Sequence, residues 1–368
     1  MFDLPFSYTA NPSRVVFGSG TITQLPAELE RLGLSKPLLL TTAQQVSQGD
    51  RLEEILGGQE RVAGRFGEAV MHTPTGVTEK ALAYAKDVGA DCVVSIGGGS
   101  TIGLGKAISV RTGLMHICIP TTYAGSEMTP ILGETENGEK KTRTDPKILP
   151  GVVIYDVDLT MTLPVSMSCT SGINAVAHAV EAIYAKAGNP IISLLAVEGI
   201  RSITSALPTL VTSPSDKDAR SKALYGAWLC GVCLGSVGMA FHHKLCHTLG
   251  GSFDLPHAET HTAVLPHALA YNLPSLTPPQ IRALASSLSL PDTDTATPEQ
   301  IIDALNKLYD DLPVERGVQR FGMKEEEVDK AVDIAFRNQY WNPRGLEREG
   351  VREVVRRVTA GERARVDL

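Results

Sequence analysis

In its first 160 residues the chain alternates short apolar runs with amphipathic ones. PLLLTT (37–42), DCVVSIGGG (91–99), HICIPTT (116–122) and GVVIYD (151–156) are apolar without alternation, β-branched, and bounded by Gly, Pro or Asp. Such runs predict strands buried on both faces. Between them TITQLPAELERLG and TEKALAYAKDVGA carry helical spacing, the second starting after a Thr78 cap and ending near Gly89. Strand alternating with helix predicts a parallel sheet covered by helices.

Beyond residue 160 strand signals stop. Helical periodicity runs over 171–186, 191–206, 219–250, 278–288, 298–308, 324–337 and 347–358. The change falls at DVDLTMTLP, where Pro164 precedes the helical half. The expectation is an α/β dinucleotide-binding domain over 1–160 and an all-α domain over 161–368. The most membrane-like stretch, LYGAWLCGVCLGSVGMAF, is Gly-rich and leads into HHK, so it reads as a buried helix. The start has no basic segment ahead of an apolar one, and the expected location is the cytoplasm.

Composition changes this picture little. Hydrophobic residues make up 43% and charged ones 20%, as in ordinary globular proteins, and a net charge of -7 argues against nucleic acid and anionic membranes as partners. The six cysteines include one lone C-x-x-C, Cys230 and Cys233, in an apolar helical context. Without a second pair at zinc-ligand spacing, all six read as buried thiols.

Candidate chemistry begins at SIGGGSTIGLGKAI (95–108). Gly97, Gly98 and Gly99 follow a strand and open a helix, which lets backbone N–H groups approach an anion and adds the helix N-terminus. The next strand ends in IPTTYAGSE (119–127), a second loop of small residues. Ligands of open parallel sheets bind at such carboxyl ends, so the two loops predict a dinucleotide.

The second concentration is histidine. Of nine, five lie at His242, His243, His247, His257 and His261. His243 and His247 are four apart on one helix face, as are Asn174 and His178 in GINAVAHAVEA. His257 follows a Gly-rich turn and Pro256. Two such pairs and a third segment predict an active site. Three neutral imidazoles can bind a divalent metal, but Asn174 stands where an Asp would complete the usual charge-neutralised set.

In the order GGGS…GK, PTTYAGSE, GINAVAHAVEA and HHKLCHTLGGSFDLPHAETHTAVLPH, the sequence resembles the iron-containing alcohol dehydrogenase family, from RVVFGSGTI to YWNPR. Within it, GGGSTIGLGKAI and PTTYAGSEMTPILGETE resemble the maleylacetate reductase branch. The resemblance implies the dehydroquinate synthase-like architecture of a nucleotide-binding α/β domain followed by a helical one. It implies that Gly97, Gly98, Gly99 and Ser100 hold the NAD(P) pyrophosphate. Thr121, Thr122 and Tyr123 would line the adenine and nicotinamide sides, with Lys140 reaching toward the cofactor. The family's metal positions fall on Asn174, His178, His243 and His257, and His247 matches a histidine near the nicotinamide.

Two departures stand out. Gly103 replaces an Asp common in the family, and Thr41 and Thr42 put no acidic residue at the end of the PLLLTT strand. The second implies acceptance of both NADH and NADPH, since a carboxylate there would repel a 2′-phosphate. The branch implies reduction of the conjugated carbon–carbon double bond of maleylacetate with no required metal. His243, His178 and His257 would be hydrogen-bond donors, and His247 or Tyr340 the proton relay. A small dicarboxylate substrate needs cations or amides, for which Asn174 and the Arg344 of NQYWNPR are candidates. The same Arg344 can equally be a structural cap of the helical domain. The family also implies a homodimer. Competing readings are a metal-dependent alcohol or polyol dehydrogenase, a lyase of the dehydroquinate synthase type, and a non-catalytic nucleotide binder.

Overall fold

A computed structural model describes residues 5–136 and 139–368, without the side chains of residues 139 and 140. It divides into two compact units, one over Ala10–Leu163 and one over Pro164–Leu368 with the described residues before Ala10.

The first unit is built on six parallel strands: β1 (Arg14–Gly18), β2 (Pro37–Leu40), β3 (Gly64–Phe66), β4 (Cys92–Gly97), β5 (Met115–Pro120) and, after a hairpin, β8 (Val152–Asp156). The hairpin is β6 (Ile131–Glu136) with β7 (Glu139–Thr144), paired antiparallel. The sheet order is β1-β8-β5-β4-β2-β3. Side chains alternate between faces as strand geometry requires. Leu39, Val94, Ile96, Ile117, Ile119 and Ile154 pack with Leu25 of α1 (Leu25–Leu32) and Leu52 of α2 (Val46–Leu56). Leu38, Leu40 and Val93 face the other way, against Ala81 of α3 (Thr75–Asp87) and Leu104 and Ile108 of α4 (Gly99–Thr112). Both faces are therefore apolar, which is why these strands read as unbroken hydrophobic runs. α3 starts ahead of the expected Thr78 cap: Pro74 is its N-cap, and Thr78 lies inside, buried.

The chain passes from β2 out to β3, then back over β2 to β4, and thereafter moves the other way through β5 to β8. The crossover opens a crevice at the carboxyl ends of β2 and β4, where open α/β sheets take ligands.

The second unit is helical. Its centre is α5 (Val165–Ile183), buried at every residue from Ser168 to Ile183 and apolar nearly all round. α6 (Pro190–Thr212) and α7 (Lys217–Ser236) pack on it, as do α9 (His257–Asn272) and α10 (Pro278–Ser287). α8 (Phe241–Phe253), α9, α12 (Val328–Ala335) and α13 (Arg348–Ala360) share a core of Phe241, Leu245, Val264, Val332 and Val355. α11 (Pro298–Asp310) begins with a Thr297–Gln300 capping box. All six cysteines are free and buried.

Two expectations change. The continuous periodicity over 219–250 is two helices, α7 and α8, bent by 94°. By length and composition it is α6 that passes as a membrane span, with mean hydropathy 1.3 over a window 44% buried. A bundle helix has the same profile, and α6 packs against α5, α7 and α10.

Candidate active site

In the α/β unit, β4 ends at Gly97 and α4 begins at Gly99, so the glycine run is the helix N-terminus. Gly97 has φ 139°, and a Cβ there would stand 2.7 Å from Gln45 Oε1 and 2.8 Å from Thr101 Oγ1. A Cβ on Gly98 would meet Thr122 Cγ2 at 3.1 Å, whereas nothing lies within 4 Å of one on Gly99. The backbone is thus crowded from the β2 and β5 loops and open at Gly99. Free N–H groups at that opening suit a diphosphate. The N–H of Thr121 donates to Gly97 O at 3.0 Å and ties the two loops together. Ser100 lies in the first turn of α4, half-buried. Tyr123 is fully buried, so its ring is part of the wall rather than a surface offered to a ligand. The side chain of Lys140, on β7, lies outside the described residues.

Behind the glycines, Lys106 is buried in α4. Its Nζ donates to Thr129 Oγ1 at 2.9 Å, to Ile131 O at 2.8 Å and to Ser126 O. Burial lowers its pKa to about 8. Gly103, the departure from the family pattern, lies under Thr73, whose Oγ1 would be 2.4 Å from a Cβ there. No side chain fits at 103 while Thr73 keeps this place.

In the helical unit the α7–α8 bend exposes the N-terminus of α8 to Glu181 of α5. Glu181 Oε2 accepts from Ala240 N at 2.8 Å and from His243 Nδ1 at 2.7 Å, and Oε1 accepts from His242 N at 2.7 Å. His243 Nε2 is left buried without a partner, as are His178 Nδ1, both ring nitrogens of His261, and Asn174 Oδ1. Ring nitrogens of His178, His243 and His261 come within 4.8 Å of one another. Burial first, and the neighbouring rings second, push all three imidazoles well below their usual range, so they are neutral. Burial raises the Glu181 pKa, with the N–H donors pulling against it.

The structure adds His261 to the expected histidine set. α9 starts at His257, which is exposed, with its ring centroid 4.2 Å from that of His261. One turn on, His261 is fully buried and takes the third place beside His178 and His243. The signal was in the sequence, since 257 and 261 are four apart and share a helix face.

His247 Nδ1 lies 3.1 Å from Tyr340 Oη, as a relay pair requires, with the Lys244 ammonium 5.7 Å from the Tyr340 ring. Arg344 is engaged elsewhere. Its Nη1 donates to Tyr271 O and Leu368 O, both at 2.8 Å, and its guanidinium stacks 4.2 Å over the Tyr271 ring. These contacts fasten Leu368 to α9, the structural role of the two the sequence allowed. Asn342 does similar work, exchanging amide hydrogen bonds of 3.0 and 2.7 Å with Asn272.

Comparisons with known proteins agree with both units. A family profile described as iron-containing alcohol dehydrogenase matches residues 12–157, and one described as Fe-containing alcohol dehydrogenase family, C-terminal, matches 168–359. The chain is 49% identical to the maleylacetate reductase of Rhizobium sp. (strain MTP-10005), over 98% of this chain and 99% of that one. It is 48% identical to the maleylacetate reductase of Burkholderia cepacia, over 97% and 99%. The crystal structure of maleylacetate reductase from Agrobacterium tumefaciens superposes with a TM-score of 0.90 at 49% identity, covering 98% and 99%. An iron-containing alcohol dehydrogenase from Corynebacterium glutamicum gives 0.91 at 38% identity, covering 98% of each chain.

Proposed function

Because the chain belongs to the iron-containing alcohol dehydrogenase family, we propose that it reduces the carbon–carbon double bond of maleylacetate, with NADH or NADPH, to give 3-oxoadipate. The observation that carries this reading is the cluster of buried, unpartnered polar groups on Asn174, His178, His243 and His261. Buried polar groups are ordinarily satisfied, so a cluster of orphans implies a ligand.

The glycine run from Gly97 with Ser100 holds the cofactor diphosphate, and Thr121 and Thr122 border it. A nicotinamide held there would supply hydride to the alkene carbon β to the ketone, leaving NAD(P)⁺ and placing the π electrons on the ketone oxygen as an enolate. The Asn174 amide and the N–H groups of neutral His178 and His261 donate to that oxygen, stabilising the charge as it develops. His243 takes up a proton on Nε2 and gives it to the α carbon, with the Glu181 carboxylate neutralising the ring meanwhile. His247 and Tyr340 resupply it from solvent.

The trio also fits a divalent metal, as three imidazoles with a carboxylate behind one of them. A metal held by His178, His243 and His261 would supply Lewis-acid polarisation of the ketone. We take the reduction not to require it. The charge forms on an enolate oxygen that N–H donors can meet, and position 174 adds a neutral amide where a carboxylate would favour a cation.

The test is maleylacetate-dependent oxidation of NADH and of NADPH by chelator-stripped protein of verified metal content, with 3-oxoadipate identified as product. Turnover with both cofactors is expected. No turnover with or without added Fe²⁺ or Zn²⁺ would overturn the reductase reading. Turnover only after metal is restored would overturn its metal independence.

A further inference from the structure

Glu181 lies three residues after His178 on α5 and is fully buried. Both of its oxygens are filled from one direction. Two of the three donors, the N–H groups of Ala240 and His242, are backbone groups that cannot accept. Ala240 is the N-cap of α8, so the carboxylate rests on the positive end of the helix that carries His243. A carboxylate held this way offers only lone pairs to its third neighbour. The hydrogen between Glu181 and His243 therefore belongs to Nδ1, and Nε2 carries the electron pair. That atom is buried and has no partner in the chain, and a ring nitrogen of His243 lies within 4.8 Å of ring nitrogens of His178 and His261.

We propose that Glu181 is a positioning residue that holds His243 as its Nδ1–H tautomer and so leaves the electron pair on the buried Nε2, within the histidine cluster. The inference rests on the reading of that trio as the reacting site. In the reduction, this electron pair is what takes up the proton later given to the α carbon. In the opposite tautomer Nε2 would already hold its hydrogen and could take none. The bend between α7 and α8 is what makes the arrangement possible, because an unbroken helix would have no free N–H at Ala240 and His242.

The first test is long-range ¹H–¹⁵N NMR on chelator-stripped protein carrying ¹⁵N-labelled histidine, with the His243 signals assigned by their loss in His243→Gln. The expected spectrum has Nδ1 protonated and Nε2 unprotonated. An Nε2–H tautomer in the wild type would overturn the proposal, whether or not the protein reduces maleylacetate. The second test uses Glu181→Gln, whose amide can turn an NH₂ toward Nδ1. It should populate both tautomers and lower kcat by about 10–100-fold, with the KM for NADH unmoved and partial rescue in Glu181→Asp. In the His243→Gln background it should cost nothing further. If Glu181→Gln fails to fold, the wild-type spectrum decides alone. Equal losses from Glu181→Gln in both backgrounds would mean that Glu181 acts on the fold and not through His243.

Discussion

Tyr340 and His247 are 93 residues apart, yet the Tyr340 hydroxyl sits 3.1 Å from His247 Nδ1. Both side chains reach solvent, unlike the buried trio. A hydroxyl and an imidazole so placed suit the proton path proposed above. Tyr340→Phe keeps the ring and removes the hydroxyl. We expect kcat to fall about 10-fold with a larger solvent isotope effect, and little change in the KM for maleylacetate. Stopped-flow measurement in H₂O and D₂O checks this.

Gly97→Ala tests the diphosphate loop. The substitution meets both a φ of 139° and atoms within 3 Å. Strain of about 1–3 kcal/mol should displace the loop, since Gln45 and Thr101 belong to the same rim. NADH titration followed by fluorescence should show weakened binding, while the ¹⁵N signature of His243 stays as in the wild type.

Arg344→Ala separates a structural role from substrate binding. The guanidinium holds two backbone carbonyls and stacks on Tyr271. Its loss should destabilise the helical unit by about 2–4 kcal/mol and leave the KM for maleylacetate near the wild-type value. Thermal denaturation and steady-state kinetics on the same preparation decide between the two roles.

His116 gives the α/β unit a pH dependence. Its Nε2 lies 2.7 Å from Ser95 Oγ inside the sheet core, and burial, then the Lys106 charge, lower its pKa from 6.5 to about 3. Below pH 6.5 the unfolded chain binds a proton that the folded one refuses, so stability falls with pH until about 3. At pH 5 the loss from this one group is about 2 kcal/mol. Denaturant titrations at pH 5 and pH 7 should show that difference shrink in His116→Gln.

What the sequence made legible follows from which signals are local. Val93, Val94 and Ile96 sit in a strand buried on both faces, and the glycines that end it open a helix, so the α/β order could be read directly. β1 and β3 were harder: RVVFG and GRF are too short to carry a pattern, and pairing with β8 and β2 is what makes them strands. In the helical unit, Asn174 and His178 were legible as one face of one helix. His261 was not, because choosing between 257 and 261 requires the start of α9. Glu181 lies in the same legible helix, but its placement behind His243 depends on the bend between α7 and α8, which continuous apolar periodicity conceals. Arg344 pointed two ways, and its contacts with Tyr271 and Leu368, distant in sequence, favour the structural one.

Lys106 has a consequence for how the segment after β5 can move. Its ammonium is out of reach of water, and the oxygens of Ser126, Thr129 and Ile131 are its hydration shell. Lifting that segment would strip the shell from a charge still enclosed by α4, at a cost of several kcal/mol. The stretch after β5 is therefore tied to α4, and the two separate only at that cost.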